Sequence, residues 1–135
     1  MGSAIKLYND VSTKCSELIT KSYSTSFSLG IYTLNKRIHK DIYNIYGFVR
    51  FADEIVDTFH KYPKRQLLDQ FEKELWSSIE DKISLNPILN SFQHTVNKYN
   101  IETSLIRSFM KSMRMDLDIR RYSSPVFYTH LRAHE

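Results

Sequence analysis

The stretch that most constrains the fold is residues 36–60, where apolar side chains occur on almost every side of a projected helix. A helix that is apolar all the way round must be surrounded by other elements, because apolar surface left in water is unfavourable. We therefore predict a central helix that is covered on most sides. Its inward residues are expected to be Ile42, Ile45, Phe48, Val49, Phe51, Ile55, Val56 and Phe59.

Amphipathic patterns before and after this segment predict the helices that surround it. The first covers residues 5–23, and proline or Asn-Pro start signals at 63 and 86–87 open helices that reach about residues 83 and 99. A last helix is predicted over residues 102–122. The expected inward stripes are Val11, Cys15, Leu18 and Ser22 (preceded by Tyr8); Leu68, Phe71, Leu75 and Ile79; Ile88, Leu89, Phe92, Val96 and Tyr99; and Leu105, Ile106, Phe109, Met113 and Leu117.

Composition supports an all-α fold, because three Gly and three Pro in 135 residues are too few for the turns of a β-sandwich or barrel. One cysteine, Cys15, excludes an internal disulfide framework and is expected to be a small buried residue. The longest apolar run, residues 45–49, is too short to span a membrane, so we expect a soluble, cytoplasmic protein. A net charge of +4 with interspersed acids argues against nucleic acid and is compatible with peripheral contact with anionic lipid on the inner membrane face.

Hydroxyl side chains are concentrated just after the first predicted helix. Ser24, Thr25, Ser26 and Ser28 lie between bulky rings, and Gly30 follows. Such side chains compete with the backbone for hydrogen bonds, so they favour a helix break or a cap over a helix interior. Taken alone, the cluster is best interpreted as a helix cap.

Four polar side chains share one narrow stripe of the central helix. At about 100° per residue, with Tyr46 at zero, Arg50 falls at about 40°, Asp53 at about −20° and Asp57 at about 20°. Two carboxylates one turn apart repel each other and are costly to bury unless a divalent cation spans them. Oxygen ligands favour magnesium, with manganese as the alternative, and zinc is disfavoured because no Cys or His stands at ligand spacing nearby.

Magnesium in proteins usually takes one or two carboxylates together with water and the oxygens of a substrate phosphate, so the stripe predicts a phosphate-bearing ligand. Arg50 offers a fork of donors for phosphate oxygens, and Tyr46 adds a neutral donor. Ser24 and Ser26 supply further donors if the hydroxyl-rich break faces the central helix. By spacing alone, a surface ion pair is the more common explanation. A ligand is favoured because the rest of the helix is apolar, so that its four polar side chains are expected to face a cavity.

The segment Tyr-Ser-Thr-Ser-Phe-Ser, followed further along by Ile-Tyr-Gly-Phe-Val-Arg-Phe-Ala-Asp-Glu-Ile-Val-Asp, resembles the squalene and phytoene synthase family, and bacterial phytoene synthases most. The resemblance covers residues 7–124. It implies the N-terminal half of an all-α isoprenoid-synthase fold with a central cavity. It also implies an enzyme of carotenoid biosynthesis, a prenyl transferase that condenses two geranylgeranyl diphosphates head to head to phytoene through a cyclopropyl diphosphate.

Carried over by position, the resemblance assigns roles to eight residues in and beside the two segments. Glu54 departs mildly, since many relatives carry a second consecutive Asp there, but the charge is kept. Phe27 and Ile31 are interpreted equally well as ordinary core. The implied roles are magnesium binding for Asp53 and Asp57; substrate diphosphate binding for Ser24, Ser26, Tyr46 and Arg50, of which Tyr46 and Arg50 are also catalytic; and the hydrocarbon pocket for Phe27 and Ile31.

Two features separate this sequence from the family pattern. A second aspartate-rich helix is missing, and Asp116 and Asp118 resemble an earlier family helix, so we interpret them as structural or rim residues. Residues 125–135 resemble read-through of synthetic adapter sequence, so we expect them to be a non-native tail outside the domain. We therefore expect a partial domain over residues 1–124, a natural chain cut shortly after Ser124, and no turnover by this chain alone.

Other functions stay open at this point. One is a dehydrosqualene or squalene-type synthase that uses farnesyl diphosphate, with squalene less favoured because no nucleotide motif suggests a reducing cofactor. Another is a non-enzymatic helical module whose acidic stripe pairs with basic residues of a partner. The expected partner is the prenyl diphosphate substrate, with no obligate protein partner. Substrate chain length and oligomeric state are not specified by the sequence.

Overall fold

The computed structural model describes residues 2–122, with side chains as far as Ile119. Within that range the chain forms helices and no strand, which confirms the all-α prediction. The suspected adapter-like tail, residues 125–135, lies outside the described residues. The elements are α1 (Gly2–Tyr23), α2 (Thr25–Ile31), a 3₁₀ helix (Lys36–Ile38), α3 (His39–Asp57), α4 (Lys64–Asp81), α5 (Pro87–Tyr99) and α6 (Thr103–Tyr122).

Helix α3 is the central helix, because α1, α4, α5 and α6 all pack against it. Phe48 lies at the middle of the core, 2% exposed, and its ring stacks on Phe92 with centroids 3.9 Å apart and on Phe71 at 5.6 Å. Such pairs add to the stabilisation from burial alone. The prediction that Ile45 points inward is wrong, since its side chain is 38% exposed. The described helices therefore leave one side of α3 open.

Helix α1 packs through small hydroxyl residues rather than through its apolar stripe. Ser12, Ser16 and Thr20 are all 0% exposed, whereas Val11 is 45% and Leu18 is 67% exposed. The prediction of an inward stripe containing Val11 and Leu18 is therefore wrong.

The reason is the close approach of α1 to α3. A Cβ added to Gly47 would lie 2.7 Å from the Cβ and Oγ atoms of Ser16, so only small side chains fit between the two helices. Two of the hydroxyl groups are satisfied within α1, since Ser12 donates to the Tyr8 carbonyl and Thr20 to the Ser16 carbonyl, each at 2.9 Å. The Ser16 hydroxyl instead pairs with that of Ser91 on α5, at 2.6 Å. Buried hydroxyls bonded to the preceding turn are compatible with a helix interior.

Local signals set most helix boundaries as predicted. Asn86 caps α5 by accepting from the Ile88 and Leu89 amides, and Pro87 occupies its first turn. The inward stripe of α4 is confirmed, with Leu68 and Leu75 at 0% exposure. Four other expected inward residues differ: Ser22, Tyr99 and Leu105 are exposed, and Cys15 is half-buried.

Among the described helices, none combines the length and apolar character that crossing a membrane requires. The exposed apolar side chains of α1 nevertheless share one stripe, because Leu7, Val11 and Leu18 follow helical spacing. Lys14 lies on the same stripe. This face of α1 thus combines apolar side chains with a positive charge.

Candidate functional site

The four polar residues of the predicted stripe all lie on α3, which runs without a break from His39 to Asp57. Because the helix is continuous, Tyr46, Arg50, Asp53 and Asp57 share one face. Each of these side chains is half-buried. The stripe therefore borders the packed interior without being enclosed by it.

Helix α2 brings the hydroxyl-rich segment to the stripe. Ser24 has extended backbone angles (φ −147°, ψ 91°), and its Oγ accepts from the Phe27 amide at 3.2 Å, which confirms the interpretation of Ser24 as a cap. The Phe27 ring then stacks on Tyr46, with centroids 4.7 Å apart and planes at 22°. A hydroxyl that accepts one hydrogen bond can still donate another, so the cap leaves the Ser24 O–H proton available to a ligand.

Arg50 is held by two residues that the sequence pattern did not single out. Its Nη2 atom donates to Glu54 Oε1, one turn on, and the guanidinium carbon lies 4.6 Å from the centroid of the Tyr23 ring. Both side chains of the ion pair are largely buried, at 25% and 15% exposed. The Arg-to-Glu spacing of four residues could have predicted Glu54 as a partner. Nothing local predicts Tyr23, because it comes from the end of α1.

The Arg50 cluster has one unused donor. Among the described residues, the buried Nε–H of Arg50 has no hydrogen-bond acceptor. Burial raises the pKa of Glu54, but hydrogen bonds from Arg50, Thr58 and Tyr23 outweigh it and leave that pKa below its ordinary value. Glu54 is therefore ionised at neutral pH and balances one positive charge beside an unpaired donor.

The donor set fits a magnesium ion that is shared with a ligand. Asp53 and Asp57 stand one turn apart on α3, and both take part in interactions with neighbouring groups. In residues 2–122, no group of three or more His, Cys, Asp or Glu side chains is placed to hold a metal. Two carboxylates with remaining positions filled by water and phosphate oxygens are the usual arrangement for Mg²⁺.

The other predicted ligand-binding residues are distributed differently. Ser26 lies exposed on α2, and Phe27 is 42% exposed beside Tyr46. Ile31 is 2% exposed and belongs to the core. The structure therefore brings Ser24, Phe27 and Tyr46 together and buries Ile31 among packed side chains.

The fold and this acidic face define the chain as an all-α protein of the isoprenoid-synthase type. The family model described as squalene/phytoene synthase matches residues 20–126, and the chain belongs to this family. The family is one of prenyltransferase-type enzymes. The match contains both α2 and the whole stripe of α3, the two segments on which the resemblance rests.

The curated relatives include plant phytoene synthases. Phytoene synthase 2, chloroplastic, of Oryza sativa subsp. japonica is 28% identical over 119 residues, which are 87% of this chain and 29% of the relative. Phytoene synthase 1, chloroplastic, of Arabidopsis thaliana is 28% identical over 127 residues, 90% of this chain and 28% of the relative. The chain thus spans under a third of the length of these relatives. No solved structure matches it significantly.

Proposed function

We propose that the α2–α3 face binds the diphosphate group of a prenyl diphosphate together with magnesium. The observation that carries the proposal is the stacking of Phe27 on Tyr46. It joins a hydroxyl-rich helix start to a stripe of acids and a guanidinium, and these are the groups that recognise phosphate and a divalent cation. The unpaired Nε–H of Arg50 adds a buried donor to the same face.

We further propose that this site belongs to the machinery of phytoene formation, the reaction that joins two geranylgeranyl diphosphates head to head. The names of the relatives support phytoene as the product. Bound magnesium would neutralise the diphosphate, with Asp53 and Asp57 as its protein ligands. Arg50 and Tyr46 would donate hydrogen bonds to the departing pyrophosphate as its negative charge develops. Glu54 and Tyr23 would hold the guanidinium in place, so that little reorganisation is needed during ionisation.

Binding of a non-hydrolysable geranylgeranyl diphosphate analogue, followed by calorimetry with and without magnesium, tests the site. We expect magnesium-dependent binding, and we expect Asp53→Asn or Asp57→Asn to weaken it by at least about tenfold. Asp81→Asn, at the exposed end of α4, is the matched control and should bind as the wild type does. Binding that is indifferent to magnesium would instead favour a non-enzymatic module. Tighter binding of the farnesyl analogue would favour the shorter substrate.

Turnover is a separate proposal. Two diphosphates carry more negative charge than the metal held by one pair of carboxylates can neutralise, so we expect the 135-residue chain to bind substrate without converting it. An assay for phytoene with geranylgeranyl diphosphate and magnesium checks this. Product formed by the purified chain would show that the acids of α3 suffice.

We also propose that the exposed stripe of α1 makes the peripheral lipid contact. Leu7, Val11 and Leu18 are 64%, 45% and 67% exposed, and Lys14 lies among them. Apolar side chains beside a lysine suit an anionic lipid surface. When phosphatidylglycerol vesicles are sedimented, the wild type should be found in the pellet with the vesicles and the Leu18→Gln variant should remain in the supernatant. Equal binding to neutral phosphatidylcholine vesicles would contradict the proposed attraction between Lys14 and anionic lipid.

A further inference from the structure

A second polar region lies across α3 from the proposed diphosphate site. Asp41 and Asn44 fall about 140° and 160° round the helix from Tyr46. There α1, the 3₁₀ helix, α3 and α5 border a cleft of about 390 Å³, a volume within the range of small-molecule sites. Nothing in the proposed function uses this cleft.

The inner wall of the cleft is a directed hydrogen-bond chain. Thr95 Oγ1 donates to Asp41 Oδ1 at 3.0 Å, and Asn44 Nδ2 donates to Thr95 Oγ1 at 3.0 Å. Lys98 Nζ and Tyr99 Oη donate to the other carboxylate oxygen at 3.0 and 2.7 Å. Because the Thr95 proton goes to the carboxylate, its oxygen must accept from the amide nitrogen of Asn44.

These hydrogen bonds fix the orientation of the Asn44 amide and supply no donor to its side-chain oxygen. Asn44 is 1% exposed and lines the cleft, yet among the described residues its Oδ1 atom has no donor. A buried acceptor without a donor is unfavourable, and native structures rarely leave one. The missing partner must therefore supply an N–H or O–H group.

The charges around the cleft are unbalanced. Lys6 pairs with Asp10 at 2.8 Å, and Lys98 pairs with Asp41 at 3.0 Å. Arg37 and Lys40 also line the cleft. In the described part of the chain, neither of them has a carboxylate within ion-pair distance. The cleft therefore presents two cationic side chains that are not neutralised at close range, which suits a doubly charged anion.

We propose that this cleft binds a small phosphate monoester that also carries a free hydroxyl group. The phosphate meets Arg37 and Lys40, and the hydroxyl donates to Asn44 Oδ1. An arginine fork and a lysine point charge are the common pair for a phosphate group. This inference does not depend on the proposed function, because the two sites lie on different sides of α3.

Titration of the 135-residue chain with glycerol 3-phosphate, methyl phosphate and glycerol, followed by NMR, tests the proposal. Glycerol 3-phosphate should bind about tenfold more tightly than methyl phosphate, which lacks the alcohol, and glycerol should bind least. Arg37→Gln and Lys40→Gln should each lower the affinity for both phosphates several-fold. Lys36→Gln, an exposed neighbour outside the cleft, is the control and should leave both affinities unchanged.

The role of Asn44 has its own measurement. Asn44→Ala should remove the advantage of glycerol 3-phosphate over methyl phosphate while keeping the affinity for methyl phosphate. If that variant does not fold, the Asn44 side-chain amide resonance of the wild type is followed instead, and only the hydroxyl-bearing ligand should shift it. Absence of binding at millimolar ligand, equal binding of both phosphates, or unchanged affinity in both cation variants would overturn the proposal.

Discussion

The two polar regions of α3 use similar residue types and hold them in different ways. Asp41 receives donors from three side chains of α5, so its carboxylate is bound across a helix interface. On the other side, Arg50 forms its ion pair with Glu54 of the same helix, has the Tyr23 ring of α1 as its contact from another helix and, among the described residues, keeps an unpaired Nε–H. A charge bonded across an interface ties two helices together. A charge paired within one helix contributes little to tertiary stability and leaves groups for a ligand.

The comparison predicts that neutralising Asp41 has the largest effect on stability. Asp41→Asn removes the charge and one of the two buried acceptor oxygens that serve Thr95, Lys98 and Tyr99, and we expect a loss of about 2–3 kcal/mol, since the two half-exposed donors can turn to water. Urea unfolding followed by circular dichroism measures it. Asp81→Asn, exposed at the end of α4, should change stability by less than about 0.5 kcal/mol. A loss at Asp41 as small as that of Asp81 would remove the distinction between the two regions.

The same carboxylate should make the protein acid-sensitive. Burial raises the pKa of Asp41, but hydrogen bonds from Tyr99, Lys98 and Thr95 outweigh it and hold the pKa below its ordinary value. Its contribution is therefore complete above the unfolded pKa of about 4 and is lost as pH falls through the lower folded value. The difference in unfolding free energy between wild type and Asp41→Asn should shrink over that range. A difference that stays constant from neutral pH to pH 3 would show that the charge does not matter.

A third prediction concerns the close contact between Gly47 of α3 and Ser16 of α1. Gly47→Ala places a methyl group 2.7 Å from Ser16 Cβ and 3.0 Å from its Cα, so we expect about 1–2 kcal/mol of destabilisation despite the better helix propensity of alanine. Gly30→Ala is the matched control, because an added Cβ there meets nothing within 4 Å and should stabilise slightly. Adding Ser16→Gly should restore part of the loss at Gly47. If Gly30→Ala destabilises the protein as Gly47→Ala does, and Ser16→Gly restores nothing, then the contact between Gly47 and Ser16 is not the cause of the loss.

Glu54→Gln should have the smallest effect on stability. The exchange keeps the shape and removes the charge that faces Arg50, and pairs within one helix contribute under about 1 kcal/mol. The variant should instead alter diphosphate binding, because the guanidinium loses the group that holds it. Thermal unfolding and the magnesium-dependent titration of the prenyl diphosphate analogue give the two readouts. A loss of stability that matches Asp41→Asn would show that Glu54 is structural.

Sequence reasoning succeeded where one local rule decided the outcome. The spacing on α3 placed Tyr46 and Arg50 on one face, and the hydroxyl-rich segment gave the Ser24 cap. It failed for α1, where Val11 and Leu18 were expected inside, whereas Ser12, Ser16 and Thr20 were not expected there and are buried. Apolar periodicity predicts that the most hydrophobic face of α1 is buried. The narrow space beside Gly47 instead admits only the face with small side chains. Tyr23 was missed for a similar reason, since its contact with Arg50 joins two helices.

The amino-acid sequence by itself determined the helical class and most helix ends, and it gave the set of residues that we propose to bind metal and phosphate. These depend on spacing, capping and charge, which act within a few residues. Only the tertiary structure decided which face of α1 is buried, that Phe27 lies on Tyr46, and that Asp41 and Asn44 share a cleft with Arg37 and Lys40. Such contacts join residues far apart in the chain, and close packing, which no local pattern records, selects among them.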